Sequence, residues 1–196
     1  VPALGDDTVR VSQKVLAQAP WSEMLARHFG QLMGSTPRRV LLKLAGLLHD
    51  IAKPQTRSVE PTGRIRFLGH PVDGARIAVA VLERWRFSHK EIKLVEAMVL
   101  HHLRPTQMAQ DGELPSHRAI YRYFRDVGDA AIDTLFLSLA DHLATRGPNL
   151  VAEGWAAHTS VVRYILEERS RQESIIRPAR LVDGHDLMAI FALKPG

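Results

Sequence analysis

An all-helical bundle carrying at most one small β-hairpin is what this sequence predicts, and three observations lead there. Apolar residues recur at helical spacing, as in Val40, Leu41, Leu44, Leu47 and Leu48. Proline and glycine punctuate these segments, at Pro20, Pro37, Pro54 and Gly147–Pro148. One stretch alone, Gln55–Leu68, breaks the pattern, and its TRSVE, PTG and RIRFL segments read as a small hairpin or ordered loop. With 196 residues, 45% of them hydrophobic, the chain can bury a real core, and disorder is not the default.

In chain order, Thr8–Gln18 and Trp21–Phe29 are two short helices separated by Pro20. Pro37 is placed to open the next helix, where its missing N–H is not needed. That helix carries the Val40–Leu48 stripe, delivers His49 and Asp50 at its C-terminal end and is stopped by Pro54. A helix resumes near Pro71 and runs to about Arg86. Ser88 with Glu91 forms a capping box that opens a helix ending at His101–His102. Residues 105–114 read as a polar loop. Pro115–Val127, Ala130–Thr145 and Leu150–Arg171 are further helices, and Leu181–Ala192 a short terminal element.

Composition narrows the function classes. No run approaches the roughly 18 apolar residues of a membrane span, and VPALGDDTVR has no signal-peptide pattern. Cysteine is absent, so a metal site must use His, carboxylate and water. That absence suits a reducing interior, and a cytoplasmic location is expected. Lys and Arg exceed Asp and Glu by 26 to 21, a net charge of +5, which mildly favours anionic partners such as RNA or phosphorylated compounds. The chain starts without Met, and we expect a fragment or processed product.

The chemistry-bearing set is His49–Asp50, then His70, His101–His102 and Asp141. Imidazole and carboxylate suit divalent metals from Mn²⁺ to Zn²⁺. Helical bundles assemble metal sites from side chains on several helices, which is how these residues are distributed. Both acids stand in apolar surroundings: Asp50 beside Leu47, Leu48 and Ile51, and Asp141 within LFLSLADHLA. Burying either costs several kcal/mol unless it is paired or bound to metal. A second His-Asp pair, His185–Asp186, has no proposed role, and spacing alone leaves metal site and satisfied core histidines about equally weighted.

The segments LLKLAGLLHDIAKPQTRS, GRIRFLGHPVDGA and RFSHKEIKLVEAMVLHHLRP resemble the HD superfamily of metal-dependent phosphohydrolases. More narrowly, they resemble the version found in bacterial RNA nucleotidyltransferases of the CCA-adding and poly(A) polymerase type. The likeness is dense over 37–105 and looser through FLSLADHLATRGP to LVDGHDLMAIF. It implies N-terminal helices over 1–36, an HD-domain core over 37–148 and a truncated RNA-binding-type helical extension over 149–196. It also implies that His49, Asp50, His70, His102 and Asp141 hold one or more divalent ions, with Mn, Ni, Co, Fe, Mg and Zn not distinguished. Asp50 and Lys53 are the implied catalytic residues, and Lys53 and Arg104 the implied contacts to substrate phosphate. One departure stands out: the family's first histidine lies on an earlier helix, expected upstream of Val1. His28 is the weaker substitute. Without that ligand the affinity is reduced and a metal-free form is expected.

The resemblance thus implies hydrolysis of nucleotide or RNA phosphate esters, such as 2′,3′-cyclic or 2′-phosphate groups. Nucleotidyl transfer is not expected here, because Gly34–Ser35 is followed by Thr-Pro-Arg-Arg and a helix, not by an Asp-x-Asp strand. The alternative is a tRNA- or RNA-binding body with a degenerate metal site. It rests on Arg118, Arg122 and Arg125, a basic stripe on one helix, with Ile120, Tyr121 and Phe124 expected on other faces, as core. No feature sets the oligomeric state.

Overall fold

The computed structural model describes residues 13–108 and 113–176. Helices run over 13–18 (α1) and over α2 (Glu23–Gly30), α3 (Arg38–Leu48), α4 (Lys53–Thr56), α5 (His70–Arg84), α6 (His89–His101), α7 (Arg104–Met108), α8 (His117–Val127), α9 (Ala131–Arg146) and α10 (Ala152–Ile176). Two two-stranded antiparallel ladders interrupt them: β1 (Leu32–Met33) with β2 (Thr36–Pro37), and β3 (Arg57–Val59) with β4 (Ile65–Phe67). The all-helical class therefore holds.

Local chemistry accounts for most boundaries. Ser22 caps α2 by accepting from the Leu25 N–H, and Ser116 does the same for α8 from Ala119. Pro37 is the N-cap of α3, as its position suggested. The helix ends at Leu48, well before Pro54, in tight turns closed by Ile51 N–H to Leu48 O and Lys53 N–H to Asp50 O. Pro54 instead stands in the first turn of α4. The β3–β4 hairpin lies inside the expected 55–68 window. The β1–β2 ladder exceeds the single hairpin expected, because Gly34 reverses the chain at φ +69 between the two-residue strands. Residues 105–108, read as loop, continue as α7. The terminal element expected at Leu181–Ala192 lies outside the described residues.

Helices α3, α5, α6 and α9 surround the core. It contains Leu41, Ala45 and Leu48 from α3, Ala78 and Leu82 from α5, Val95, Met98 and Val99 from α6, and Leu135 and Leu137 from α9. The buried face of α3 is Arg38, Leu41, Ala45 and Leu48. Leu47, counted in the sequence stripe, is instead 71% exposed. Gly74 brings α5 close to the end of α3, since a Cβ there would stand 3.4 Å from His49 O and from Val99 Cγ1. Trp155 is buried and donates its indole N–H to Val15 O at 2.8 Å, tying α10 to α1.

Glu91 is the polar hub under the β1–β2 turn. It is buried and accepts from Ser88 N and Oγ at 2.7 and 2.6 Å and from Ser35 N at 3.2 Å. Burial raises its pKa, but the bonds from Ser88, Thr36 and Ser35 outweigh burial and bring it from 4.5 down to about 2. A depressed carboxylate pKa adds stability that is complete above the unfolded value and is lost as pH falls through the folded one. Glu91→Gln is expected to lower unfolding free energy by about 1–3 kcal/mol at pH 7 in urea titrations. The gap from the native chain should shrink as pH drops from 4.5 toward 2; equal stability at pH 7 would refute this role.

Candidate metal centre

Five of the residues selected from sequence converge where the end of α3, the start of α5, the end of α6 and the middle of α9 meet. Asp50 is central. Its Oδ2 lies 3.2 Å from His49 Nε2 and 2.6 Å from Lys53 Nζ. Its Oδ1 lies 3.4 Å from His70 Nε2 and 3.8 Å from His102 Nε2. Asp141 Oδ1 approaches His49 Nε2 at 3.4 Å. The groups fall into two triads that share Asp50: Asp50, His70 and His102, and His49, Asp50 and Asp141.

The histidines are oriented from behind by the backbone. His49 Nδ1 donates to Gly46 O at 2.9 Å, His70 Nδ1 to Phe67 O and His102 Nδ1 to Val99 O, both at 2.7 Å. A carbonyl only accepts, so each Nδ1 carries a proton and each ring turns its Nε2 toward the centre. Two such nitrogens, on His70 and His102, stand 3.2 Å apart. His49 Nε2 is buried between the carboxylates of Asp50 and Asp141, at 3.2 and 3.4 Å. Lone pairs facing each other across such a gap are mutually repulsive and ask for a cation. Backbone carbonyls holding the far nitrogen are the usual second layer of a histidine metal site. The donor set fits a divalent ion.

Charge distribution supports the fit. Burial alone would lower the His49 pKa, but Asp141 and Asp50 more than reverse this and raise it to about 10. Burial likewise opposes ionisation of Asp50, yet His49 and Lys53 hold it well below the usual carboxylate range. Its bond to His49 keeps Asp141 low against the effect of burial. Burial, with neighbouring His49 and His70, pushes the His102 pKa below the usual histidine value. The pocket thus collects negative charge around a position that a proton on His49 fills in part.

Residues 15–146 match the HD domain. The chain belongs to the HD domain family. It is 34% identical over 182 residues to the CC-adding tRNA nucleotidyltransferase of Thermus thermophilus, covering 90% of this chain and 37% of that protein. It is 32% identical over 158 residues to the A-adding tRNA nucleotidyltransferase of Deinococcus radiodurans, covering 80% of this chain and 34% of that one. The bifunctional uridylyltransferase/uridylyl-removing enzyme of Nitrosococcus oceani is 32% identical over 111 residues, 56% of this chain and 11% of its own length. The chain thus spans little more than a third of the tRNA nucleotidyltransferases it matches.

Within this HD domain the remaining candidates divide. Lys53 stands at the centre through Asp50, with Nζ 5.7 Å from the Phe67 ring centroid. Arg104, selected as a phosphate contact, is engaged elsewhere: it pairs with Asp126 at 3.0 Å and lies over Tyr123. His101 belongs to neither triad. His28 is turned to Asp133 Oδ2 at 3.0 Å, in a buried group with Arg38 that sequence reading missed. Its only signal was an arginine on the face that α3 buries. Arg118, Arg122 and Arg125 are exposed on α8, and Arg125 pairs with Asp126. Tyr121, read as core, is 59% exposed among them, while Tyr123 is buried and donates to Ala131 O. Asp50 and Asp141 line the mouth of the site, with 31% and 27% side-chain exposure, rather than lying in the apolar core inferred for them.

Asp50→Asn is expected to weaken Mn²⁺ or Ni²⁺ binding by more than about 100-fold, since outer-layer partners alone typically cost 10–100-fold. His101→Ala should leave affinity unchanged. Calorimetric titration checks both, and native affinity in Asp50→Asn would contradict the arrangement.

Proposed function

We propose that this HD domain is a metal-dependent phosphohydrolase acting on nucleotide or RNA phosphate esters, within a protein related to tRNA nucleotidyltransferases. The observation that carries the reading is the meeting of His49, His70, His102, Asp50 and Asp141 at one point, each imidazole presenting Nε2. These five would be the ligands. A divalent ion held there supplies a lowered pKa to water and positive charge opposite a phosphoryl oxygen.

The protein's own residues do the rest. Asp50 belongs to both triads, so its carboxylate would serve as a ligand in either. Lys53, 2.6 Å from Asp50, places an ammonium beside the site, where it offsets charge that builds on phosphate in the transition state. The carbonyls of Gly46, Phe67 and Val99 keep the three rings from turning. Nucleotidyl transfer is not assigned to these residues, since Gly34–Ser35 forms a hairpin turn beside Glu91. Among the described residues no helix is long and apolar enough to cross a membrane. We place the protein in the cytoplasm, in keeping with its lack of cysteine.

A second reading has an observation of its own. Helix α8 presents Arg118, Tyr121, Arg122 and Arg125 outward at i, i+3, i+4 and i+7. Guanidiniums interleaved with an exposed aromatic ring suit an RNA strand, with phosphates on the arginines and a base on the ring. The two readings can coexist, and one pair of assays separates them. Hydrolysis of a 2′,3′-cyclic nucleotide, dependent on added Mn²⁺, Ni²⁺ or Co²⁺, should fall at least about 100-fold in Asp50→Ala and roughly tenfold or more in Lys53→Ala. Salt-sensitive tRNA binding should survive Asp50→Ala and weaken in Arg118→Ala with Arg122→Ala. Hydrolysis unaffected by Asp50→Ala would defeat the enzymatic reading.

A further inference from the structure

The β3–β4 hairpin touches the metal centre at its base. Phe67, the last residue of β4, accepts a hydrogen bond from His70 Nδ1 on its carbonyl at 2.7 Å. Its ring centroid lies 5.7 Å from Lys53 Nζ. β3 follows directly on α4, whose first residue is Lys53. One end of the ladder therefore stands beside the site, and the turn between the strands lies at the other end.

Register decides what the hairpin presents. Arg57 pairs with Phe67, and Val59 with Ile65. Directly opposed residues of an antiparallel ladder share a face, and so do residues two apart on one strand. Arg57, Phe67, Val59 and Ile65 thus stand on one face, the face that meets Lys53, with Ser58 and Arg66 on the other. Arg57, Val59 and Ile65 are exposed. The hairpin's one acid, Glu60, is taken up by Arg66 at 2.5 Å, which leaves Arg57 without a carboxylate on the hairpin. Two rungs lead outward from the centre: Arg57–Phe67 next to Lys53, and Val59–Ile65 about 7 Å farther along.

We propose that this face is a platform for the strand entering the metal centre, and that the substrate is the phosphorylated end of a single-stranded RNA, not a free nucleotide. The terminal phosphate sits at the centre beside Lys53, the next phosphate on Arg57 and a base against Val59 and Ile65. The assignment rests on the phosphate-ester reading of the centre. A nucleotide anchored there by its phosphate reaches the first rung, and only the following residue of a strand reaches the second. A guanidinium makes a charge-assisted bond to backbone phosphate, and an apolar surface accepts the face of any base. The hairpin thereby selects for a strand without selecting its sequence.

The test is fluorescence anisotropy of the whole chain, loaded with Mn²⁺, against a labelled RNA pentamer ending in a 3′-phosphate. Nucleoside 3′-monophosphate serves as competitor. The pentamer is expected to bind at least about tenfold more tightly than the mononucleotide. Arg57→Ala, and Val59→Asp with Ile65→Asp, should each remove most of that advantage while Mn²⁺ affinity stays native. Equal affinity for pentamer and mononucleotide, or no pentamer binding by the native chain, would overturn the platform. So would an advantage that both hairpin variants keep. A pentamer ending in a 3′-hydroxyl that binds as well would place the strand elsewhere, such as on α8, and overturn it too. Variants that weaken Mn²⁺ and both ligands alike would make the hairpin a prop for His70 and have the same consequence. Pentamer binding of the expected pattern in a chain that hydrolyses no phosphate ester would defeat the hydrolase reading and leave the platform standing.

Discussion

Three imidazole Nε2 atoms and two carboxylates aimed at one small volume are the constraint on which the structure turns. In the folded chain His70 and His102 set their Nε2 atoms 3.2 Å apart, and His49 Nε2 lies between the Asp50 and Asp141 carboxylates. Such an arrangement is unfavourable by itself, because like lone pairs repel and half-buried carboxylates attract whatever cation is at hand. It persists because four helices are held in place by a core packed elsewhere. The ligands come from helix ends and one helix middle, so the core can be tight while the mouth stays open to solvent.

The alignment of α3 with α9 has its own device. Arg38, at the first position of α3, reaches Asp129 in the turn before α9 and Asp133 in its first turn, and all the Arg38 contacts are made by a side chain 2% exposed. Three turns later the same two helices present His49 and Asp141 to each other. A buried ion pair of this kind adds little net stability, but losing one partner costs roughly 3–5 kcal/mol. Its effect is to specify which way the helices lie, and through them the distance across the centre.

Much of this was legible from residues. The capping box at Ser88 and Glu91, the opening of α3 after Pro37, the hairpin within 55–68 and the gathering of His49, Asp50, His70, His102 and Asp141 all follow from local patterns or from the resemblance they carry. What was not legible depends on three-dimensional packing. Tyr121 and Tyr123 are two residues apart on an amphipathic helix, and which one is buried depends on where Ala131 O lies. Leu47 fits a helical stripe, yet α3 buries the face of Arg38, Leu41, Ala45 and Leu48 instead. Arg104 looked free for phosphate because Asp126, 22 residues away, could not be placed beside it. His28 could not be set aside as a ligand until Asp133 and Arg38 were seen around it. The membership in the HD domain family and the kinship with tRNA nucleotidyltransferases came from the same quoted segments.

The most direct measurement is X-ray absorption of the chain loaded with Ni²⁺ or Co²⁺. A mixed nitrogen and oxygen shell with the outer scattering of at least two imidazole rings is expected, lost on Asp50→Asn. A shell of oxygen alone, or an imidazole signature that Asp50→Asn leaves intact, would contradict it.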